Sequence, residues 1–437
     1  MNSMEPGGAR ANRVGTGSAP VVVVGGGVIG MCTAYYLADA GVPVEVVERQ
    51  GIGSGASWGN AGWVCMSHSA PVPSPGVIGY AARSLGRPDS PLYLRPRLDP
   101  RFLAWLIRFW RSSSAARFRA GYQAVADLNR RTFDLYDALA ADGVRTTLHR
   151  PGMVHAFLGE APARHHLDVQ RQMAAGRYTV PEEPVVGAAA HKLDPALSPN
   201  VAAAYLVQGE GVVDSAAFVR ALRDRLGQLG AKVHENVDVS GFAGPAGRID
   251  KVLTSSGEIP CAGVVVASGV RSAHLLAALG MRLPLQAGKG YSFGVDLPTP
   301  PRHALYFGER RVVASPIGST TRIAGTMELS GNNNRLDWRR LTAVARASRG
   351  YLGPWFAEPD DLMSAIRDPW VGGRPFLPDG LPVIDRVPGR ENVYLATGHG
   401  MLGVTLGPAT GRYLTDYVLG GSRPEALAPF SFDRIGA

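Results

Sequence analysis

The chain has 437 residues, 45% of them hydrophobic and 19% charged, with a formal charge of +9 and a pI of about 9.6. That balance excludes a disordered chain and suits roughly two or three packed units, or one large α/β enzyme. Cys32, Cys65 and Cys261 lie outside any CxxC spacing, which excludes a disulfide framework and a structural zinc site and points to a reducing cytoplasm.

The positive charge forms no block of like charges and carries no nucleic-acid motif. It reads as a weak bias toward an anionic ligand or membrane surface, and an arginine-favouring base composition explains it equally well. No apolar run of about 18 residues is present, so no transmembrane helix is expected.

Residues 1–19 are rich in Gly, Ser, Ala and Pro and are expected to form a disordered tail rather than a signal peptide. Val21–Val24 is a β-branched run suited to a strand buried on both faces. Gly25-Gly26-Gly27-Val28-Ile29-Gly30 follows, then a helix from Met31 to Ala40 stopped by Gly41, and a second strand over Val44–Glu48. Gly25, Gly27 and Gly30 thus place GxGxxG directly between strand and helix. The first glycine permits the tight turn, the second lets a pyrophosphate approach the backbone, and the third lets the helix pack on the strand. Free N–H groups at the helix start favour an anion. Glu48, about 20 residues on, is placed to accept hydrogen bonds from an adenosine ribose. The pattern does not separate NAD from FAD, although Glu48 argues against a 2′-phosphate.

Residues 53–76 make a loop too long for an ordinary connection, and therefore functional. Helices are expected over Pro100–Arg111, Ala124–Asp142, Ala216–Leu229 and Leu336–Tyr351. Strands are expected over Pro151–Leu158, Ala202–Val207, Lys232–Val239 and Gly263–Gly269, and in two or three pieces across Leu305–Met327. The last section reads as a strand (Val393–Ala396), a Gly-rich loop (Gly398–Gly407) and a helix (Ala409–Leu419). The fold class implied is α/β: a discontinuous Rossmann-type domain over 20–90, 186–285 and 376–437, with an inserted α+β domain on a mostly antiparallel sheet over 91–185 and 286–375. The basic, aromatic stretch Arg101–Arg111 has two readings, peripheral membrane contact and packing on the second domain. Apolar positions that nearly encircle it favour packing.

Five blocks in order resemble the D-amino acid dehydrogenases, within the wider D-amino acid oxidase, glycine oxidase and sarcosine oxidase family. They are Ser54–Gly62 with Pro73–Gly76; Val264–Gly269; Gly288–Ser292; Trp370–Pro375 with Pro378–Pro382; and Thr397–Gly403. The resemblance runs over about Val21–Leu419 and implies FAD as the dinucleotide. Contacts to it are expected at Gly25, Gly27, Val28, Ile29, Gly30, Glu48 and Arg49; at Ser57, Asn60, Ala61 and Gly62; at Val237, Ala267 and Gly269; and at Gly400, Leu402, Gly403, Val404 and Thr405. At the last block, N–H groups opening a helix would stabilise the anion of a reduced flavin. Relatives with covalent flavin carry a histidine where this chain has Gly59, or a cysteine near the C-terminus, where none follows Cys261. Non-covalent FAD is implied.

Arg374 matches the family's arginine for the substrate carboxylate, a role suited to the guanidinium fork; a structural salt bridge is its rival reading. Met327 matches a pocket methionine, with plain packing as the rival. His399 is read either as a cofactor contact or as a histidine satisfied near a turn. Val312-Val313 stand where relatives have a second carboxylate-binding tyrosine, and Met401 where they have a second arginine. Arg374 therefore lacks its usual companions, and Tyr291 and Tyr306 are candidates to replace them. His68, in the flavin loop, is a further candidate.

The implied reaction takes hydride from the α-carbon of an amino or imino acid, a D-amino acid first, to flavin N5. The imine left behind hydrolyses to a keto acid. Oxidation of a secondary or cyclic amine, NAD-dependent dehydrogenation and a binding protein without turnover are the alternatives. Oxygen, a quinone or another carrier is the acceptor. No metal and no nucleic acid is expected, and the cytoplasm, with the inner membrane face left open, is the expected location.

Overall fold

The structure is a computed structural model and describes residues 19–77, 79, 90–95, 97–355 and 361–436. The tail expected over residues 1–19 lies, apart from Ala19, outside them.

Two sheets organise the chain. The first has six strands in the order Val383–Arg386, Val393–Thr397, Gly263–Val266, Val21–Val24 (β1), Val44–Val47 (β2) and Lys232–His234. All pairs are parallel except the first. The four valines of β1 are at most 4% exposed, as an interior strand covered on both faces requires. Helix α1 (Val28–Asp39) follows β1, starts three residues before the expected Met31, and packs along the helix Gly403–Gly420. Gly411 makes that approach workable: a Cβ there would sit 2.7 Å from the Cys32 carbonyl carbon.

The second sheet is larger. From Arg367–Phe376 it runs through Gln286–Val295, Thr320–Leu329, Val312–Ile317, Ala304–Phe307, Met153–Phe157 and Ala203–Val207 to Val185–Val186, with Leu92–Leu94 paired to Thr320–Leu329. It is antiparallel apart from two pairings. Strand Ala203–Val207 belongs here, with Tyr205 opposite His155, and not to the nucleotide-binding unit in which the 186–285 range places it. Both sheets bury valine- and alanine-rich strands, and only long-range pairing decides between them. A separate two-stranded antiparallel ladder pairs Trp63–Val64 with Gly211–Val212 and fastens the long 53–76 loop.

Two helices differ from expectation. The span 124–142 is two helices, Ala115–Asn129 and Thr132–Ala141, broken at Arg130–Arg131. The Gly403 helix begins six residues before Ala409, with Pro408 inside it. Proline has no N–H to give the carbonyl four residues back. That carbonyl, Val404 O, accepts instead from the buried Tyr136 hydroxyl at 2.8 Å, and Thr132 Oγ1 donates to Thr405 O at 3.2 Å. The break at Arg131 aims the second helix at this turn. Among the described residues no helix is long and apolar enough to cross a membrane. The helix Pro100–Ser112 buries Phe102 and Trp105 but leaves Leu103, Ile107 and Trp110 exposed.

Candidate functional site

A cavity of about 870 Å³ opens at the C-terminal ends of the parallel strands and extends under the second sheet. Parallel sheets place their ligands at this edge. At one end stands the glycine turn. Gly25 has φ +118°, and a Cβ on Gly30 would lie 1.9 Å from the Gly25 carbonyl oxygen. Gly27 caps α1 without a side-chain bond, and no acid occupies the first helical turn. A helix start without an acid in its first turn favours an anion. Val28 N donates to Ser57 Oγ at 3.0 Å, so the loop's hydroxyl reaches the same spot. Glu48 accepts from Gly26 N and Gln50 N, both at 2.8 Å. One N–H per oxygen leaves each with a lone pair for a further donor.

A second helix start meets the cavity from the other side. The Gly403 helix has no side-chain cap and no acid in its first turn. Gly400 and Gly398 carry positive φ in the turn before it. His399 is buried, its Nε2 lies 3.0 Å from Thr410 Oγ1, and burial pulls its pKa down to about 3. It is neutral in any ordinary buffer.

Arg374 stands on the second-sheet wall. Its Nη1 donates to Thr326 O at 3.0 Å, and among the described residues it forms no ion pair. Burial lowers the guanidinium to about 10, the mark of a cation without an anion. Gly290 makes room for it: a Cβ there would meet Arg374 Nη2 at 2.2 Å. Trp370, from the same strand, lies across Gly59 and Gly372, where added Cβ atoms would fall 2.2 and 2.1 Å from the indole.

The chain from residue 20 to 417 matches the family model described as DAO, FAD dependent oxidoreductase. It belongs to that family. It is 31% identical to the D-amino acid dehydrogenase of Xanthobacter autotrophicus over 415 residues, which cover 93% of this chain and 96% of that protein. It is 30% identical to the D-amino-acid oxidase of Bradyrhizobium diazoefficiens, covering 95% and 98%. Glycine oxidase from Bacillus cereus shares its fold with a TM-score of 0.72 at 21% identity, covering 94% and 97%. L-proline dehydrogenase from P. horikoshii does so at 0.71 and 17%, covering 95% and 98%. The chain is an FAD-dependent oxidoreductase, and the uncapped helix starts and glycine turn fit that cofactor's pyrophosphate and ring.

All the cofactor positions named from the sequence line this flavoenzyme's cavity except Gly30, which lies beneath the turn. Arg374, Tyr291, Met327, His399, Tyr306 and His68 line it too. The Tyr291 hydroxyl, however, donates to Glu328 Oε2 at 2.7 Å. Glu328 also meets Lys289 Nζ at 3.2 Å and Arg340 Nε at 3.7 Å. Burial pushes the Glu328 carboxyl up, but Ser330, Tyr291 and Lys289 more than offset this and hold it below the usual range. Tyr291 is thus tied into a buried charge cluster.

Sequence reasoning missed one wall. His166, Val169, Gln170 and Met173 line the cavity from one face of the helix Glu160–Ala174. Their i, i+3, i+4, i+7 spacing is the only signal, and polar neighbours conceal it. It also missed Glu210, a buried carboxylate that accepts from Met66 N at 2.9 Å and Ser67 N at 3.0 Å. Burial pushes it up to about 7.

Proposed function

We propose that this flavoenzyme oxidises the CH–NH bond of an amino or imino acid, a D-amino acid first among them, with Arg374 holding the substrate carboxylate. The observation that carries the reading is a guanidinium without an acid partner on the same cavity as the dinucleotide cradle. Its fork can meet a carboxylate in two parallel hydrogen bonds. Relatives named for D-amino acids, at 30% identity and above over most of the chain, support the substrate class.

Bound FAD supplies the two-electron acceptor. The chain's part is to hold and orient. The α1 start and Ser57 would hold the pyrophosphate, Glu48 the ribose, and the first N–H groups of the Gly403 helix the electron-rich edge of the ring. Arg374 would anchor the substrate carboxylate and orient its α-carbon, and such positioning supplies several kcal/mol, roughly 7–11 at best. Neutral His399, engaged with Thr410, shapes the turn and moves no proton. FAD is held without a covalent bond. A histidine in place of Gly59 would collide with Trp370, so flavin released by denaturation should stay in the supernatant.

The test is anaerobic bleaching of the flavin by D-amino acids, L-amino acids, proline analogues and N-methyl amines. Bleaching by the D-series supports the reading, and a flavin that no amine bleaches ends it.

The Pro100 helix favours a second reading, about placement. Leu103, Ile107 and Trp110, 45%, 53% and 62% exposed, share a surface with exposed Arg101, Arg108 and Arg111. An apolar stripe with a basic border suits peripheral contact with an anionic bilayer. Co-sedimentation with anionic but not neutral vesicles, lost in Trp110→Ala, is the expected result.

A further inference from the structure

One wall of the cavity is lined by rings. Trp63 and His68 from the 53–76 loop, His166 from the helix Glu160–Ala174 and Tyr306 from the strand Ala304–Phe307 line it. His68 lies 4.8 Å from Tyr306 and 5.0 Å from Trp63, centroid to centroid, and His166 lies 5.6 Å from Tyr306. Behind them the wall is a second ring deep. His155 stacks on His68 at 5.2 Å and on Tyr205 at 4.7 Å, and both backing rings are fully buried. Hydrogen bonds lock the second layer: Tyr205 Oη lies 2.5 Å from His166 Nδ1 and 3.3 Å from His155 Nδ1. The walls are flat and preset.

The charge here is as informative as the shape. Burial lowers His68 to about 3, and burial with the Arg311 guanidinium beside it lowers His166 to about 4, so both are neutral. The acids that line the cavity among the described residues are Glu48 and Asp238, both beside Val237 at the glycine-turn end. A cationic side chain would find no counter-charge at the ring end. One polar atom is left over: His68 Nε2 is buried without a partner. It is already shut away from water, and an aliphatic side chain would leave it unsatisfied, which is costly. A ring bearing a donor or acceptor would satisfy it, since imidazole tautomerism lets Nε2 play either part.

Resting on the amino-acid reading above, we infer that the substrate's side chain is a flat, uncharged ring with a hydrogen-bonding group, a phenol or an indole, received among Trp63, His68, His166 and Tyr306. His68 is the specificity-determining residue. Flat rings against flat rings gain beyond simple area burial, and the hydrogen bond separates tyrosine from phenylalanine.

The test is anaerobic stopped-flow reduction of the holoprotein's flavin by tyrosine, tryptophan, phenylalanine, alanine, leucine, glutamate and lysine, each in both configurations. In whichever hand reduces the flavin, tyrosine or tryptophan should exceed alanine and leucine about tenfold or more in reduction rate over Kd. In His68→Phe the tyrosine-over-phenylalanine ratio should fall about tenfold, with phenylalanine itself little changed. His68→Asn, which keeps a polar group, should restore part of that ratio and covers the case in which the Phe variant fails to fold. Alanine or leucine matching the ring substrates, or glutamate or lysine leading, overturns this inference and leaves the oxidation of amino acids standing. A flavin that none of them reduces removes both. An unchanged ratio in both His68 variants overturns the part given to His68.

Discussion

Two groups of buried charge sit on the same antiparallel sheet and differ in one respect. Lys289 and Glu328 pair on the sheet, Arg340 reaches the same carboxylate from the helix Trp338–Ser348, and Tyr291 and Ser330 donate to it. Arg374 lies nearby on the adjacent strand, yet has a backbone carbonyl for company and no acid. A buried charge that the fold has already paired serves the fold. One left without its counter-ion, facing a cavity, is waiting for a ligand to complete it.

The comparison can be broken from either side. Glu328→Ala leaves Lys289 and Arg340 buried without their shared carboxylate, so stability should fall by about 3–5 kcal/mol, read as a lower midpoint in urea. Flavin reduction by the folded fraction should change little. Arg374→Ala should do the reverse: thermal stability and flavin content stay close to wild type, while reduction by carboxylate substrates drops about 100- to 1000-fold in rate over Kd. If the two variants behave alike, the distinction fails. Gly290→Ala sharpens it. A methyl 2.2 Å from Arg374 Nη2 must displace the guanidinium, so affinity for carboxylate substrates should weaken about tenfold in a protein that still holds its flavin.

Glu210 is the instructive third case, an anion without a cation whose oxygens are satisfied by backbone N–H groups. Its folded pKa, about 7, lies above the ordinary 4.5. Its contribution to stability is therefore complete below pH 4.5 and is lost as pH rises through 7, with a slope of at most about 1.4 kcal/mol per pH unit. Glu210→Gln should flatten that part of the stability curve. The smallest effect belongs to Tyr291→Phe, which removes one hydrogen bond to Glu328 and should cost about 1 kcal/mol of stability. If it also weakens substrate binding, Tyr291 belongs with Arg374 after all.

What was readable before the structure follows the range of the forces involved. The turn from β1 into α1 was plain because Gly25, Gly27, Gly30 and Glu48 act within one βαβ unit. Arg374 could be singled out by its block, but not its solitude, which depends on where Glu328 finds its partners. Ala203–Val207 falls in the range read as the nucleotide-binding unit, yet pairs in the second sheet, because its partner, Met153–Phe157, lies about 50 residues away in the chain. The Gly403 helix was started too late because Pro408 reads locally as a stop, and the hydroxyl that makes good its missing N–H comes from Tyr136. His166, Gln170 and Met173 share a helix face whose significance appears only when the cavity is seen.

That hydroxyl has a consequence for how the cofactor is governed. The opening turn at Val404 is splinted by a neighbouring segment, so its N–H groups take their aim partly from a helix that lines no part of the cavity. Distant substitutions on that segment would tune the flavin's electron affinity while leaving substrate recognition as it was.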